Sequence, residues 1–338
     1  MIVETEQLQA PSEVSPSPLA ANDGELVHAN GRWGQPGAQL SILIPTFRDS
    51  AHALINRLAE CDGAVDTEVI VYDDGSGDPE LTALMSAAVD AYPGGACLIT
   101  ALTNKGRSAG RNHLEETANA EWHLFLDADM YPDDVAFLSR YVDAISSQNG
   151  APCMIVGGFS LNFAPFSAKT DLHRAQSLKS ECIPAETRNL EPGRFVFTSN
   201  VLVHRHIMET ITFDPAFSGW GWEDVDWGLR VADRYPVLHI DNTATHLGLD
   251  PASVLISKYE KSAGNFWLAA ERHEDAMKAT PLYRMSRRFA RLPGRALLAG
   301  LSKQVALLPA SLMPAAIRLA CLKVFRAAVY GGHDYARR

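Results

Sequence analysis

The sequence contains few cysteines, and it lacks the motifs of several common protein classes. Its five cysteines are scattered without a C-x-x-C pair, which argues against a disulfide framework and against a thiolate zinc site. No apolar run reaches the roughly 18 residues of a membrane span, and no signal-peptide pattern opens the chain. These absences favour a protein of the reducing cytoplasm.

Two frequent nucleotide-binding loops are also missing. The glycine-containing segment "NKGRSAG" (104–110) has neither the G-x-G-x-x-G spacing nor a G-K-[ST] ending. A dinucleotide-dependent dehydrogenase and a P-loop NTPase are therefore poor interpretations. The 338 residues, 46% of them hydrophobic, suffice for one large domain with an appendage.

The net charge of −10 conceals an uneven distribution along the chain. Residues 283–338 contain eleven Lys/Arg and one acid, a net charge of +10, so residues 1–282 carry −20. Basic residues alternate there with apolar helical segments that Pro309, Pro314 and Arg318 interrupt. This pattern favours an interfacial helix on an anionic membrane surface, and the alternative is a helical pair that folds back on the acidic body. Nucleic acid is disfavoured because no recognition motif accompanies the arginines.

The chain divides into three predicted parts. Residues 1–38 are rich in Pro, Ser, Ala and Glu and are expected to form a disordered leader. Residues 39–275 form the main domain, with a first half over 39–150 and a second half over 151–275. Residues 276–338 form the basic amphipathic helical tail.

The first half of the main domain alternates strands with helices. Short apolar runs at 40–45, 67–74, 96–102 and 121–129 predict strands, and helical spacing predicts helices over 50–61, 79–91, 107–119 and 133–147. Such alternation predicts an α/β fold with a mostly parallel sheet covered by helices on both faces. Ligands of these sheets bind beyond the carboxyl ends of the strands. The polar strand endings "PTFRD", "DDGSGD" and "DADM" should therefore gather at one edge.

Paired carboxylates follow two of the predicted strands. Asp127 and Asp129 in "FLDAD" would share a face of an extended segment, where they can hold Mg²⁺ or Mn²⁺ beside phosphate oxygens. Asp73 and Asp74 in "YDDGSGD" end another strand and can accept a hydrogen bond from a nucleotide base. Solvated turns after strands are the structural alternative in both cases.

The segment "GWGWEDVDW" (219–227) places tryptophans beside acids. Acids at a helix start are favourable, so Asp226 needs no further explanation. Trp220 and Trp222 offer flat faces on which sugar rings can lie, and a carboxylate desolvated by indole has a raised pKa suited to a general base.

Four segments, in this order, resemble the nucleotide-binding half of GT-A glycosyltransferases of the large inverting family 2: "SILIPTFRD", "VIVYDDGSGDPEL", "NKGRSAGRN" and "WHLFLDADMYPDD". The later "FVFTSNVLVHR" and "ITFDPAFSGWGWEDVDWGLRV" resemble the acceptor half of bacterial chondroitin-type polymerases and β-1,4-galactosyltransferases, with their W-G-x-E-D acceptor motif. Pro215 stands where relatives often have an acid. The resemblance covers about residues 40–250 and implies a GT-A (Rossmann-like) fold.

The resemblance implies a role for each matching residue. The nucleotide-sugar site would comprise Pro45, Thr46, Arg48, Asp74 (less readily Asp73), Arg111 and Asp127. The metal, Mn²⁺ or Mg²⁺, would bind Asp129 and His246, although a packed or capping histidine is the alternative for His246. The acceptor would contact Trp220, Trp222 and Glu223. The second acid of the family's E-D pair, here Asp224, would deprotonate it, with Glu223 and then Asp226 as the alternatives for this base.

These expectations describe a metal-dependent inverting glycosyltransferase. It would move a sugar from a nucleotide donor, expected to be a UDP-sugar, to a glycan or lipid-linked oligosaccharide in cell-surface polysaccharide synthesis, at the inner face of the cell membrane. One alternative is a sugar-phosphate nucleotidyltransferase, which has no evident use for "GWGWED". The other is a non-catalytic glycan-binding module on the same fold.

Overall fold

A computed structural model describes residues 19–22 and 24–337 of the chain. Its strands are β1 (Leu19–Asn22), β2 (Glu25–Ala29), β3 (Leu40–Thr46), β4 (Thr67–Asp73), β5 (Gly95–Ala101), β6 (Trp122–Leu126), β7 (Met130–Pro132), β8 (Met154–Val156), β9 (Phe159–Ser160), β10 (Asn200–His204), β11 (Val237–His239) and β12 (Ala244–His246). Its helices are α1 (His52–Ala59), α2 (Pro79–Ala91), α3 (Arg107–Thr117), α4 (Phe137–Ser147), α5 (Asp171–Ser180), α6 (Ala185–Arg188), α7 (Arg205–Thr210), α8 (Glu223–Ala232), α9 (Ala252–Lys261), α10 (Ala263–Arg272), α11 (Glu274–Lys278), α12 (Pro281–Ala290), α13 (Arg295–Leu307) and α14 (Ala315–Arg337). Short 3₁₀ helices cover Ala64–Asp66 and Pro192–Phe195.

A mixed central sheet organises the protein. Its nine strands in the described residues follow the order β1-β2-β5-β4-β3-β6-β10-β8-β11. The pairs β5/β4, β4/β3 and β3/β6 are parallel, whereas β10 is antiparallel to both β6 and β8. The predicted α/β fold with a mostly parallel sheet between helices is confirmed, and the four predicted strands of the first half correspond to β3, β4, β5 and β6.

Both faces of this sheet are buried. Successive side chains of a strand point to opposite faces, so the burial of neighbouring residues reports on both. In β3, Ile42 and Ile44 pack into one hydrophobic cluster, and Leu43 packs into the other. All three are fully buried. The continuous apolar strands therefore reflect helices on both faces of the sheet.

The structure differs from the expected disordered leader at residues 25–29. This segment is strand β2, which pairs antiparallel with β5 along its whole length. The following Asn30 fixes it, because its amide nitrogen donates to the carbonyls of Val89, Tyr92 and Gly94, and its Oδ1 accepts from the amide of Ala96. A short strand near the edge of the sheet, held mainly by main-chain and asparagine contacts, carries little apolar pattern, so its composition resembled that of a disordered segment. Residues 1–18 of the expected leader lie outside the described residues.

A smaller sheet of order β7-β12-β9 lies beyond the end of β6. Antiparallel pairing of β12 with β7 sets His246 opposite Met130, directly after Asp129. This register brings together two predicted metal ligands that are 117 residues apart.

The C-terminal helical extension is confirmed, and its inner face packs on the rest of the protein. Leu319, Leu322 and Phe325 of α14 are buried in a cluster with residues of α5 and α9. Arg318 is also buried, and its Nη1 lies 2.9 and 2.7 Å from the two carboxylate oxygens of Asp171. The fold-back arrangement is therefore present. Among the residues that the structure describes, no helix combines the length and apolarity needed to cross a membrane.

Candidate active site

The carboxyl ends of β3, β4 and β6 border a cavity of about 800 Å³. Parallel register sets Thr46 of β3 opposite Asp73 of β4, and Leu43 opposite Phe125 of β6, so the three strand endings meet at one edge. The volume falls in the usual range for small-molecule sites. The cavity wall includes five of the six predicted nucleotide-sugar residues: Pro45, Thr46, Asp74, Arg111 and Asp127.

The sixth, Arg48, lies apart from this wall. Its backbone adopts the left-handed region with φ of 55°, and its amide donates to the Ser76 hydroxyl at 2.6 Å. Its guanidinium stacks on the neighbouring Phe47 ring at 5.0 Å from the centroid. The structure thus holds Arg48 by local contacts and does not bring it into the cavity.

The two acids of "YDDGSGD" have different surroundings. Asp73 is fully buried, and one of its oxygens accepts from the amide and hydroxyl of Ser76, which forms a local turn. Asp74 lines the cavity, and its two carboxylate oxygens accept from the amides of Lys105 and Gly106 at 2.6 and 2.8 Å. Asp74, rather than Asp73, is therefore placed to contact a ligand.

Asp129 and His246 form the centre of the candidate metal site. Asp129 Oδ2 lies 3.2 Å from His246 Nε2. Burial lowers the pKa of His246, but the hydrogen bond to Asp129 and its negative charge outweigh burial and raise that pKa. The chain also leaves room here, because a Cβ on Gly248 would stand 1.9 Å from Asp129 Oδ2.

This donor set fits a divalent cation. A carboxylate oxygen and an imidazole nitrogen together suit Mn²⁺ better than Mg²⁺, which prefers oxygen ligands alone. Two protein ligands leave coordination positions free for diphosphate oxygens. Asp129 and His246 would hold the ion.

Sequence analysis overlooked two neighbours of His246. Three side chains, those of His173, Glu181 and His246, each bring one nitrogen or oxygen that could bind a metal, and these three atoms lie within 4.8 Å of one another. The amide of Asp250, however, donates to His173 Nδ1 at 2.7 Å. In the neutral ring the proton is then on Nε2, which leaves that nitrogen no lone pair for a metal. His173 therefore offers no lone pair for a second metal site, and its ring lies edge-on to that of His246 at 5.7 Å between centroids.

Arg111 connects the strand edge to the second half of the domain. Its Nη2 lies 3.1 Å from Asp127 Oδ1, and its Nη1 lies 3.6 Å from Glu223 Oε1. The hydroxyl of Ser199 donates to Asp127 Oδ2 at 2.7 Å. Burial raises the pKa of Asp127, but the charges of Arg111 and Arg107 and the Ser199 hydrogen bond outweigh it and lower that pKa. Asp127 is therefore a stable anion that positions Arg111.

Unsatisfied polar atoms mark where a ligand would fit. Arg111 Nε and Nη1 and Glu223 Oε2 are buried without a hydrogen-bond partner in the described structure. Such atoms are costly to bury in the free protein. Hydroxyl or phosphate groups of a substrate can satisfy them.

The turn before α8 has an unusual backbone. Gly219, Gly221 and Trp222 have φ values of 80°, 88° and 79°. Glycine adopts this region freely, but for tryptophan it costs on the order of 1–3 kcal/mol. The strain is offset by packing, since the Trp222 ring contacts Phe266 edge-on at 4.9 Å between centroids.

The three acids that begin α8 have separate environments. Asp226 is fully buried, and its carboxylate is paired with Arg230, Arg272 and His273. It therefore holds α8 against α10, and because it lines neither cavity it is not placed to act as the reserve base. Burial, followed by the negative charge of Glu223, raises the pKa of Asp224 to about 7. A carboxylate with this pKa can accept a proton near neutral pH.

A second cavity, of about 440 Å³, joins the first at Asp127, Asp129, Trp220 and Lys258, which line both. The expected acceptor residues are all in its wall: Trp220, Trp222, Glu223 and Asp224. The C-terminal extension completes the wall with Pro281, Leu282 and Arg326. Sequence reasoning missed this contribution, since the only local signal of Arg326 was its place in a basic segment.

Comparisons with known proteins give one family match and several similar structures. Residues 41–202 match the family model described as "Glycosyl transferase family 2". The structure is similar to the mannosyltransferase PcManGT of Pyrobaculum calidifontis in complex with GDP-Man and Mn²⁺, with a TM-score of 0.53, 14% identity and 90% of each chain covered. It is also aligned with S. aureus TarS 1-349 in complex with UDP-GlcNAc (TM-score 0.48, 15% identity, 89% of this chain and 92% of that chain). A further alignment is with glucosyl-3-phosphoglycerate synthase of Mycobacterium tuberculosis (TM-score 0.47, 14% identity, 68% and 79% covered).

A search of curated protein sequences finds no match. The family match over 41–202 includes the strand ends that carry Thr46, Asp74, Asp127 and Asp129. The first of these structural likenesses establishes the fold over nearly the whole chain. Together, these findings show that the chain has the GT-A fold and that residues 41–202 are similar to glycosyl transferase family 2.

Proposed function

We propose that the protein is a metal-dependent inverting glycosyltransferase that transfers a sugar from a nucleotide donor, a UDP-sugar, to a hydroxyl group of a glycan or lipid-linked oligosaccharide in cell-surface polysaccharide synthesis. One observation carries this proposal. Two cavities meet at Asp127 and Asp129, and the second contains a carboxylate, Asp224, whose pKa is raised to about 7. A donor and an acceptor can thus meet between a cation site and a base.

In the first cavity, the donor nucleotide would lie along the strand ends. Pro45, Thr46 and Asp74 would contact the nucleoside, and Arg111 would approach the diphosphate. A cation on Asp129 and His246 would neutralise the charge of the departing nucleoside diphosphate. The buried donors Arg111 Nε and Nη1 would then gain the partners that they lack in the free protein.

In the second cavity, the acceptor sugar would lie against Trp220 and Trp222, the two tryptophans within the W-G-x-E-D motif. Glu223, held 3.6 Å from Arg111 and 3.7 Å from Arg107, would bind an acceptor hydroxyl through its free Oε2. Asp224 would take the proton from the attacking hydroxyl. A single displacement from the face opposite the leaving group inverts the anomeric configuration.

The test of this function is release of nucleoside diphosphate. The purified protein would be incubated with Mn²⁺, a panel of nucleotide sugars and candidate acceptors. We expect turnover with a UDP-sugar and its loss in Asp224→Asn, while metal-dependent UDP binding survives. Asp233→Asn, at the exposed C-terminal end of α8, is the matched control. Full activity of Asp224→Asn would refute the base assignment, and no turnover or binding of any UDP-sugar would refute the donor.

We also propose that the outer face of α13 docks the protein on the anionic inner face of the cell membrane. Leu297 and Leu301 on α13 are 69% and 59% exposed, and Leu312, just after α13, is 70% exposed. The exposed Arg288 and Arg291 precede α13 in the chain. Exposed apolar side chains beside arginines suit an interfacial helix.

Co-sedimentation with vesicles tests this docking. We expect binding to vesicles that contain phosphatidylglycerol and weak binding to pure phosphatidylcholine. The double variant Leu297→Ser/Leu301→Ser should lose this binding, and Leu84→Ser, at another exposed leucine on α2, should keep it. Equal binding of all three proteins would contradict the proposal.

A further inference from the structure

Arg326 differs from the other cations that line the second cavity, the proposed acceptor site, which is called the acceptor cavity below. Within the described residues, Arg107, Arg111, Arg194 and Lys258 each have a carboxylate within 4.0 Å. Among the same described residues, no carboxylate lies within 4.0 Å of the Arg326 guanidinium. A cation in a cavity wall without an anionic partner is costly unless a ligand supplies one.

Aromatic rings hold the Arg326 guanidinium in place. Its carbon lies 4.4 Å from the ring centroid of Tyr259, 5.3 Å from that of Tyr330 and 5.4 Å from that of Trp222. Its Nε donates to the Tyr330 hydroxyl at 3.2 Å. The group is therefore fixed by stacking and by one hydrogen bond, and its two terminal nitrogens stay available. A fixed planar guanidinium suits a carboxylate or phosphate, which can accept two parallel hydrogen bonds.

The acids of the cavity do not fill this role. Glu223 and Asp127 are near Arg111, Asp129 contacts His246, and Asp250 contacts Lys258. The carboxylate of Glu181 accepts the Ser177 hydroxyl at 2.6 Å and, within the described residues, lies in no ion pair with Arg326. Asp224, the proposed base, must be free to take a proton.

We infer that the acceptor is acidic, and that Arg326 binds its carboxylate or phosphate group at the wall formed by α14. This inference rests on the proposed acceptor role of the cavity. It defines the substrate class as a glycan with a uronic acid or a phosphate group close to the accepting sugar. Neutral glycans would leave the guanidinium unpaired.

Ligand-observed NMR titrations of the full chain test this inference without any sugar transfer. The probes are methyl β-glucuronide, glucose 6-phosphate and the neutral methyl β-glucoside. We expect at least one acidic probe to bind about tenfold or more tightly than the neutral one, as charge-assisted hydrogen bonds allow. The acidic probe that binds more tightly shows whether the acceptor carries a carboxylate or a phosphate group. Equal binding of neutral and acidic probes would overturn the inference.

Variants assign the preference to Arg326. Arg326→Gln should bind acidic and neutral probes alike, whereas Arg194→Gln removes a paired cation from the same cavity and should keep the preference. Arg326→Lys retains the charge and most of the packing, so it decides the outcome if Arg326→Gln fails to fold. It should lower the preference for the acidic probe at unchanged Tm, and an undiminished preference would overturn the assignment.

These outcomes remain separate from those of the proposed function. If no donor is turned over but the acidic preference depends on Arg326, the proposed function fails and the anion site stands. If transfer occurs and neutral probes bind equally well, the acceptor class fails alone.

Discussion

The raised pKa of Asp224 predicts a pH-dependent cost to stability, which Asp224→Asn should remove. In the unfolded chain an aspartate ionises near pH 3.8, and in the folded protein Asp224 ionises near pH 7. Between these values only the folded state keeps the proton, so the free energy of unfolding falls as pH rises. The full penalty is present above pH 7. At 1.36 kcal/mol for each pKa unit, it amounts to at most about 4 kcal/mol.

Asparagine cannot ionise, so the variant should escape this penalty. Guanidinium chloride unfolding, followed by circular dichroism at pH 4.5 and pH 8, measures the effect. The stability of Asp224→Asn relative to the native sequence should increase between the two pH values by up to about 4 kcal/mol. The exposed control Asp233→Asn should show no comparable gain.

The two causes of the shift can also be separated. Burial comes first and the charge of Glu223 second, so Glu223→Gln should remove only the second part. The pH-dependent penalty should then be smaller than in the native protein but still present. A native protein whose stability changes with pH in parallel with that of Asp224→Asn would refute the reasoning, because it would show that Asp224 ionises alike in both states.

Two further predictions concern the metal site and the C-terminal extension. Gly248→Ala should weaken Mn²⁺ binding in calorimetry about 10- to 100-fold, because its Cβ would displace the carboxylate of Asp129; native affinity would contradict this. Arg318→Met should lower the free energy of unfolding by about 3–5 kcal/mol, because it leaves Asp171 buried without its partner. The double variant Arg318→Met/Asp171→Leu should recover most of that loss, and a double variant no more stable than the single one would count against a buried ion pair.

Much of the sheet could be predicted from the sequence because its signals are local. Apolar strands such as Leu40–Thr46 and polar endings such as Asp127 and Asp129 are read over a few residues. Parallel pairing then gathers the endings at one edge, so the nucleotide half of the candidate site followed from strand order and motif. The pair Asp129 and His246 was expected only through resemblance, and the strand pairing of β12 with β7 explains it.

The remaining features depend on contacts between distant segments. Arg326 reaches the acceptor cavity because α14 packs on α5 and α9, which no local pattern in a basic tail reveals. Arg48 fits a motif but is held elsewhere by Phe47 and Ser76. Asp226 looks like its neighbours in sequence, yet it is two residues beyond Asp224 and so on another face of the helix, buried against Arg230 and His273. The order of the strands and helices could therefore be predicted from the sequence better than the direction of individual side chains.

The C-terminal extension contributes one wall of the acceptor cavity with its inner face and exposes leucines on its outer face. A chain shortened at residue 282 would therefore lose part of the proposed acceptor site, not merely an accessory segment. The two faces also belong to one thermodynamic system. If a ligand on the outer face changes acceptor affinity by some factor, the acceptor must change the affinity of that ligand by the same factor.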